Sequence, residues 1–262
     1  MRVSPVQLSY CGPPPAPDAL WARWNLDPAL LLGLLAVLAV YAVWTRAGGG
    51  RRPPAWRRAS FYAGWTLGAL ALVSPLCALS VSLFSARVGQ HMLLAMLVAP
   101  LVALGLPGGE QWRGRAGAAE PPLAAAAFAA TLWFWHAPGP YAATFHSVGV
   151  YWAMHFSAFA AALWLWLALF DRPGARLIGV LAAAALTSLQ MGLLGAILTF
   201  AERPLYAPHA LTTAAWGLSP LADQQLGGAI MWAPAGLGLV AAVVAALGFS
   251  LRSAGRRALA AS

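Results

Sequence analysis

The sequence has very little charge for its length. Only 9% of its 262 residues are charged, whereas 61% are hydrophobic. A soluble globular domain carries about 25% charged residues, so this composition indicates an integral membrane protein. Lysine is absent, and all 16 basic residues are arginines in short segments between apolar runs. That distribution is typical of membrane topology and excludes a nucleic-acid-binding face.

Catalytic and nucleotide-binding motifs are also missing. The chain has no Walker motif, no HExxH and no GxSxG, so we expect that it is not an enzyme. It has two cysteines, Cys11 and Cys77, which predicts neither a disulfide framework nor a CxxC metal site. Cys77 lies in an apolar run, and we interpret it as a buried, inert thiol rather than a ligand.

The apolar runs predict an all-α bundle of about seven transmembrane helices within a single membrane domain, 1–262. We expect a kink at Pro75 in the second helix. A proline-rich external tail, 1–27, precedes the first helix, and its lack of a basic segment predicts no cleavable signal peptide. The predicted helices cover residues 28–45, 60–81, 88–106, 122–136, 149–170, 177–200 and 226–250.

The arginines predict how the bundle is oriented. Segments on one side of the seven predicted spans hold twelve arginines, and those on the other side hold Arg2, Arg23, Arg87 and Arg203. By the positive-inside rule, the N-terminus is outside and the C-terminus is cytoplasmic. We therefore predict a multi-pass membrane protein with this orientation.

All five histidines lie at or near the predicted outer side. His91 is about one turn into the third predicted helix, and His155 is about six residues into the fifth. His136 closes the fourth helix, while His146 and His209 lie in outer connections. An ionisable side chain inside a membrane span is costly to bury, so His91 and His155 are candidate functional residues.

These histidines suggest a metal site. Imidazole and thioether ligands suit copper, and imidazole alone also suits zinc or haem iron. No single helix carries an HxxxH or HxxH pair, so a metal would need His91, His136 and His155 to converge from three helices. Met92 is a further candidate ligand, although as sequence neighbours of histidines Met92 and Met154 are turned about 100° away around their helices.

Each candidate has a simpler structural alternative. In this alternative, His91 and His155 only pack the bundle, bonded to backbone carbonyls or to the neighbouring Gln90 and Tyr151. Asp223 is a candidate metal ligand, but its place just before the seventh predicted helix also suits an N-cap. Arg87, one turn before His91, either extends its guanidinium toward the headgroups or pairs with an acidic partner.

Several segments in order resemble the CtaG family, the assembly factors of caa-type cytochrome c oxidases. The likeness covers residues 20–250, and the segments that carry it are SPLCALSVSLFSARVGQHMLLAMLVAPLVALGLP, WFWHAPGPYAATFHS, YWAMHFSAFAAALWLW, GAILTFAERPLY and LADQQLGGAIMW. The resemblance implies about seven membrane helices and a role in maturing a haem–copper oxidase by helping copper reach it. Oxidase subunits or a copper carrier are the implied partners.

By position, the resemblance assigns the family's polar residues to His91 with Met92, His136, His155 and Asp223 with Gln224. One position departs from the family pattern, which has a second histidine one turn before His91. This sequence has Arg87 there, and a guanidinium cannot bind a metal as imidazole does. Either the site is built across helices, or metal binding is weaker in this member.

Two other functions remain open from the sequence. A small-cation or metal transporter would place polar groups near the midplane, where Thr187, Ser188 and Gln190 of the sixth predicted helix are the few examples. A haem-binding electron-transfer bundle would need a histidine pair facing across the membrane core. The favoured hypothesis is a copper-handling assembly factor at the outer face of a bacterial inner membrane.

Overall fold

The computed structural model describes residues 9–47, 53–106, 120–170 and 177–232, and this part of the chain is helical without strands. A π-helical segment, Leu94–Val98, joins α4 to α5. The helices are α1 (Pro28–Ala47), α2 (Ala55–Val73), α3 (Pro75–Ser82), α4 (Phe84–Leu93), α5 (Ala99–Gly105), α6 (Glu120–His136), α7 (Pro138–Ala143), α8 (Val148–Leu169), α9 (Leu177–Thr199) and α10 (220–232).

Several of these helices can cross a membrane. Within the described ranges, four segments are long and apolar enough: Pro28–Arg46, Phe84–Gly105, Val148–Leu169 and Ile178–Thr199. The bent pair α2–α3 is a fifth if it counts as one span. The prediction of an all-α membrane protein is confirmed. The count of seven stays a prediction, because α6 has only 17 residues and the predicted span 226–250 lies mostly outside the described residues.

The predicted kink at Pro75 is confirmed. The chain bends by 52° between α2 and α3. Proline cannot donate a backbone hydrogen bond and forces the preceding residue out of the helical region, so Ser74 is extended at φ −70° and ψ 170°. The Ser74 hydroxyl then accepts a hydrogen bond from the Leu76 N–H at 3.4 Å and caps α3.

The π-helical segment has a cause in Pro100. In the π-helical segment, the Ala99 N–H donates to the Leu94 carbonyl, five residues earlier. The next hydrogen bond of this pattern would run from the N–H of residue 100 to the Ala95 carbonyl. Proline has no N–H to give. The indole of Trp166 on α8 donates to the Ala95 oxygen instead, at 2.8 Å. This bond ties α8 to the span that carries His91.

Three helices begin four or more residues earlier than predicted. The second predicted helix begins at Ala55 instead of residue 60, the third at Phe84 instead of residue 88, and the seventh at residue 220 instead of 226. Ser219 caps α10 by accepting from the Ala222 N–H at 3.1 Å. Asp223 therefore lies inside α10, and its interpretation as the N-cap of that helix is wrong.

The N-terminal tail packs on the end of the bundle where α3 ends and α4 and α8 begin, which we call the tail end. Cys11 and Cys77 form a disulfide across 66 residues of sequence. The interpretation of Cys77 as an inert thiol is therefore wrong, because sequence separation does not show that the tail folds back onto α3. The ring of Tyr10 also stacks on that of Tyr151, with centroids 4.8 Å apart.

Candidate metal centre

A small cavity lies between α4, α6 and α8 near the tail end. Its volume is about 50 Å³, enough for an ion or a few water molecules. His91, His136 and His155 all line it, so the structure brings together the three histidines that the sequence singled out. Met92 lines the cavity as well.

His91 and His155 lie at the same depth on neighbouring helices. His91 follows the first residue of α4 by seven positions, and His155 follows the first residue of α8 by seven, which places each about 10 Å along its helix. The predicted depth of one turn for His91 was too small because α4 begins earlier. The two ring centroids are 5.1 Å apart, and the rings meet edge to face.

The hydrogen bonds of these histidines leave nitrogens free for a ligand. His155 Nδ1 donates to the Tyr151 carbonyl at 3.0 Å, and His136 Nδ1 donates to the Leu132 carbonyl at 2.8 Å. A carbonyl can only accept, so in these rings Nδ1 carries the proton. In metal-binding histidines, a hydrogen bond of this kind from one ring nitrogen orients the ring, and the other nitrogen is left to bind the metal.

Three residues that line the cavity have a buried nitrogen without a hydrogen-bond partner in the described part of the chain. These nitrogens are Nε2 of His91, Nε2 of His155 and Nε of Arg87, and only the two imidazole nitrogens can accept a cation. A buried polar atom without a hydrogen bond is costly, so it calls for an explanation such as a bound ion. The packing alternative therefore accounts for His155 Nδ1 but not for either Nε2.

Sulfur atoms surround the same space. Met154 on α8 and Met231 on α10 line the cavity together with Met92, and all three are buried. The expectation from helical geometry that Met92 and Met154 turn away from a shared site is not met. Residues of α6 and α10 line the same cavity, so the side chains of Met92 and Met154 face it from α4 and α8.

Arg87 lies against the cavity and is only 2% exposed. Its Nη2 donates to the Thr144 hydroxyl at 2.6 Å and lies 3.7 Å from the sulfur of Met154. The guanidinium carbon stands 4.4 Å from the ring centroid of Phe145 and 5.0 Å from that of Tyr141. The interpretation that Arg87 extends outward is wrong, because the side chain is buried. Among the described residues, no carboxylate forms an ion pair with it.

Asp223 does not line the histidine cavity. Its carboxylate accepts from the backbone N–H groups of Phe84 at 2.6 Å and Ser85 at 3.1 Å, and from the Ser85 hydroxyl at 2.5 Å. Leu83, at the capping position of α4, has no side chain that can do this. Asp223 thus caps α4 from another helix, and the fully buried carboxylate balances the positive end of the helix dipole.

The family comparison decides the assignment. A family model described as cytochrome c oxidase caa3 assembly factor (Caa3_CtaG) matches residues 36–253. The chain belongs to this family. The resemblance noted in the sequence is confirmed. No curated protein and no solved structure matches the chain.

In this caa3 assembly factor, the whole histidine cavity falls inside the matched region, because its lining runs from Arg87 to Met231. The tail residues Tyr10 and Cys11 fall outside it. The cavity therefore belongs to the part of the chain that the family shares, whereas the disulfide joins this part to the tail.

The two remaining histidines of the assembly factor lie away from the cavity. His146 is exposed in the connection after α7. His209 is 2% exposed, and the Tyr141 hydroxyl donates to its Nε2 at 2.6 Å. Burial, assisted by the nearby Arg87 guanidinium, lowers the pKa of His209 to about 3. His209 is therefore neutral at physiological pH and serves the packing of the tail end.

A second cavity meets the first at His155, which lines both. It has a volume of about 500 Å³ and lies between α1, α2 and α8. Its walls are mainly apolar, with Asp27 and Trp152 among the few polar groups. His155 therefore separates a small donor-lined cavity from a large apolar one.

Proposed function

We propose that this assembly factor carries copper in the histidine cavity and passes it to the oxidase, acting as a carrier and not as an enzyme. The observation that supports the proposal is the pair of buried, unbonded Nε2 atoms of His91 and His155. Their rings stand 5.1 Å apart, so one ion can lie between or beside them. Because the family assembles cytochrome c oxidase, the oxidase is the proposed acceptor of the copper.

The donors favour copper over other cargo. Two imidazoles with thioethers on the same wall are a set that copper accepts and that hard ions such as Mg²⁺ do not prefer. His136 adds a third imidazole at the edge of the set. In the described residues, no three His, Cys, Asp or Glu side chains form a metal-binding group, so the methionines are needed to complete the coordination.

We further propose that the tail end faces outward from a bacterial inner membrane, with seven spans in all and the C-terminus in the cytoplasm. The Cys11–Cys77 disulfide supports this orientation, because disulfides persist in oxidising compartments. The arginine distribution supports it independently. Copper would then be handed to an oxidase subunit, or received from a copper carrier, at the outer face.

Single cysteines test this orientation. In a Cys11→Ser, Cys77→Ser background, a membrane-impermeant thiol reagent should label Ser147→Cys in intact cells and should label Gly174→Cys only after the membrane is opened. Labelling of Gly174→Cys alone in intact cells would contradict the proposal.

Transport through the bundle is the weaker candidate. Gln190, one of the few polar residues in the sixth predicted helix, already accepts a hydrogen bond from the Trp133 indole at 2.9 Å. A continuous polar path across the described helices is not supported by such isolated groups. A haem held between His91 and His155 is also disfavoured, because the cavity that both residues line is only about 50 Å³ and has no room for a porphyrin.

The experiment that tests the function measures copper and haem in the oxidase. Membranes from cells without this gene should contain a copper-deficient oxidase with intact haem. Wild type and His146→Ala should restore copper, whereas His91→Ala should not, because His146 is exposed and His91 lines the cavity. A fully metallated oxidase in cells lacking the gene would refute the copper role.

A further inference from the structure

The charge beside the cavity bears on which ion it accepts. We infer that the cavity selects monovalent Cu(I) over divalent Cu(II) and Zn(II), and that Arg87 is a specificity-determining residue. This inference rests on the proposed copper-carrying function. It adds the oxidation state of the cargo and a role for Arg87.

The donor atoms of the cavity favour Cu(I) over Zn(II). Zinc sites in proteins use four ligands, or three with a water molecule, drawn from histidine, cysteine and carboxylates. The described chain has no group of three such side chains arranged for a metal. Two unbonded imidazole nitrogens with the sulfurs of Met92 and Met154 in the same wall are instead a sparse, soft set. Soft thioether ligands select Cu(I).

The positive charge of Arg87 disfavours divalent ions in the cavity. Arg87 lines the cavity, is 2% exposed and has no carboxylate partner among the described residues. The residues that line the cavity include neither Asp nor Glu, so nothing in its wall offsets the guanidinium. A divalent ion meets twice the repulsion of a monovalent ion. At an effective dielectric constant of about 20 and a separation of roughly 6 Å, the extra unit of charge weakens binding on the order of 100-fold.

The guanidinium is held where it exerts this effect. Its Nη2 donates to Thr144 at 2.6 Å, and the rings of Tyr141 and Phe145 lie against it. Met154, one of the proposed donors, has its sulfur 3.7 Å from the same Nη2. The charge therefore cannot swing away when an ion enters. A histidine at this position would add a donor, whereas Arg87 adds a permanent charge.

Competitive metal binding tests the inference on the purified full-length protein in detergent. Under anaerobic conditions, Cu(I) is titrated against a chromophoric Cu(I) chelator, and Zn(II) is titrated against a zinc-binding dye. The variants are Arg87→Gln, which removes the charge, and Arg87→Lys, which keeps it. Arg23→Gln is the matched control, because Arg23 lies in the tail and donates to the Pro13 carbonyl.

We expect wild type to prefer Cu(I), and Arg87→Gln to shift the ratio of affinities toward Zn(II) by roughly 100-fold. Arg87→Lys and Arg23→Gln should retain the wild-type ratio. An unchanged ratio in a folded Arg87→Gln protein, or tighter binding of Zn(II) than of Cu(I) by wild type, would overturn the inference while leaving copper binding intact. Wild type that binds neither Cu(I) nor Cu(II) would refute the proposed function itself.

A measurement on wild type covers the case in which Arg87→Gln does not fold. X-ray absorption of the copper-loaded protein should show Cu(I) with few ligands, including both nitrogen and sulfur. A four-coordinate Cu(II) spectrum with nitrogen and oxygen ligands under the same loading would overturn the inference.

Discussion

Asp223 and Ser85, 138 residues apart in sequence, join α10 to the first turn of α4. The Asp223 carboxylate accepts from both the backbone N–H and the hydroxyl of Ser85, and from the N–H of Phe84. Gly227 lies one turn further along α10, where a Cβ would come within 2.5 Å of the Phe84 ring. This contact fixes the start of the helix that carries His91.

Asp223→Asn should therefore lower the free energy of unfolding. The amide keeps one acceptor oxygen and loses the charge, and we expect a loss of about 1–3 kcal/mol for a fully buried cap. Ser219→Ala is the control, because Ser219 caps α10 through the Ala222 N–H at an exposed position and should cost less. Thermal unfolding in detergent measures both, and equal losses would contradict the capping role of Asp223.

The buried His209 should make stability depend on pH. Its pKa is about 3 in the folded protein, whereas an exposed histidine titrates near 6.5. Between these values the unfolded chain binds the proton and the folded one does not, so stability falls as the pH is lowered through this window. The slope from this group is at most about 1.4 kcal/mol per pH unit.

His209→Gln isolates this contribution, because glutamine can still accept from Tyr141 without titrating. The difference in unfolding temperature between wild type and His209→Gln should change steadily between pH 6.5 and pH 4, in favour of the variant at low pH. A constant difference across that range would show that His209 does not contribute to the pH dependence.

The disulfide should stabilise the tail end. Cys11 and Cys77 enclose 66 residues of sequence, and closing a loop of that size typically contributes about 2–4 kcal/mol. Cys11→Ser should lower the unfolding temperature, and a reductant should have no further effect on it. Ser9→Ala, in the same tail, should change stability less. A reductant that leaves the wild-type unfolding temperature unchanged would contradict this prediction.

Much of the fold could be predicted from the sequence because the bilayer allows few solutions. A long apolar run must satisfy its backbone internally, so α1, α8 and α9 begin and end within about two residues of their predicted bounds. The starts of α4 and α10 were misplaced because the signals were weak or distant. Leu83 gives no cap, and Asp223 caps α4 from far along the chain.

The candidate site was only partly predictable. Because a histidine is costly to bury in a membrane span, the sequence indicates functional histidines, and three of them line one cavity. The burial of Arg87 has no signal in the sequence, because the rings that enclose it, Tyr141 of α7 and Phe145 after α7, are distant in sequence. The Cys11–Cys77 bond was missed for the same reason. Contacts between residues that are distant in sequence leave no local pattern in a single sequence.

Copper stoichiometry of the purified protein tests the central claim most directly. We predict that wild type and His146→Ala each bind one copper ion per chain in detergent after loading with Cu(I), and that the double variant His91→Ala, His155→Ala binds none while it remains folded. The exposed His146 controls for the loss of an imidazole as such. A double variant that retains the wild-type copper content would contradict the account, because the ion would then lie outside the histidine cavity.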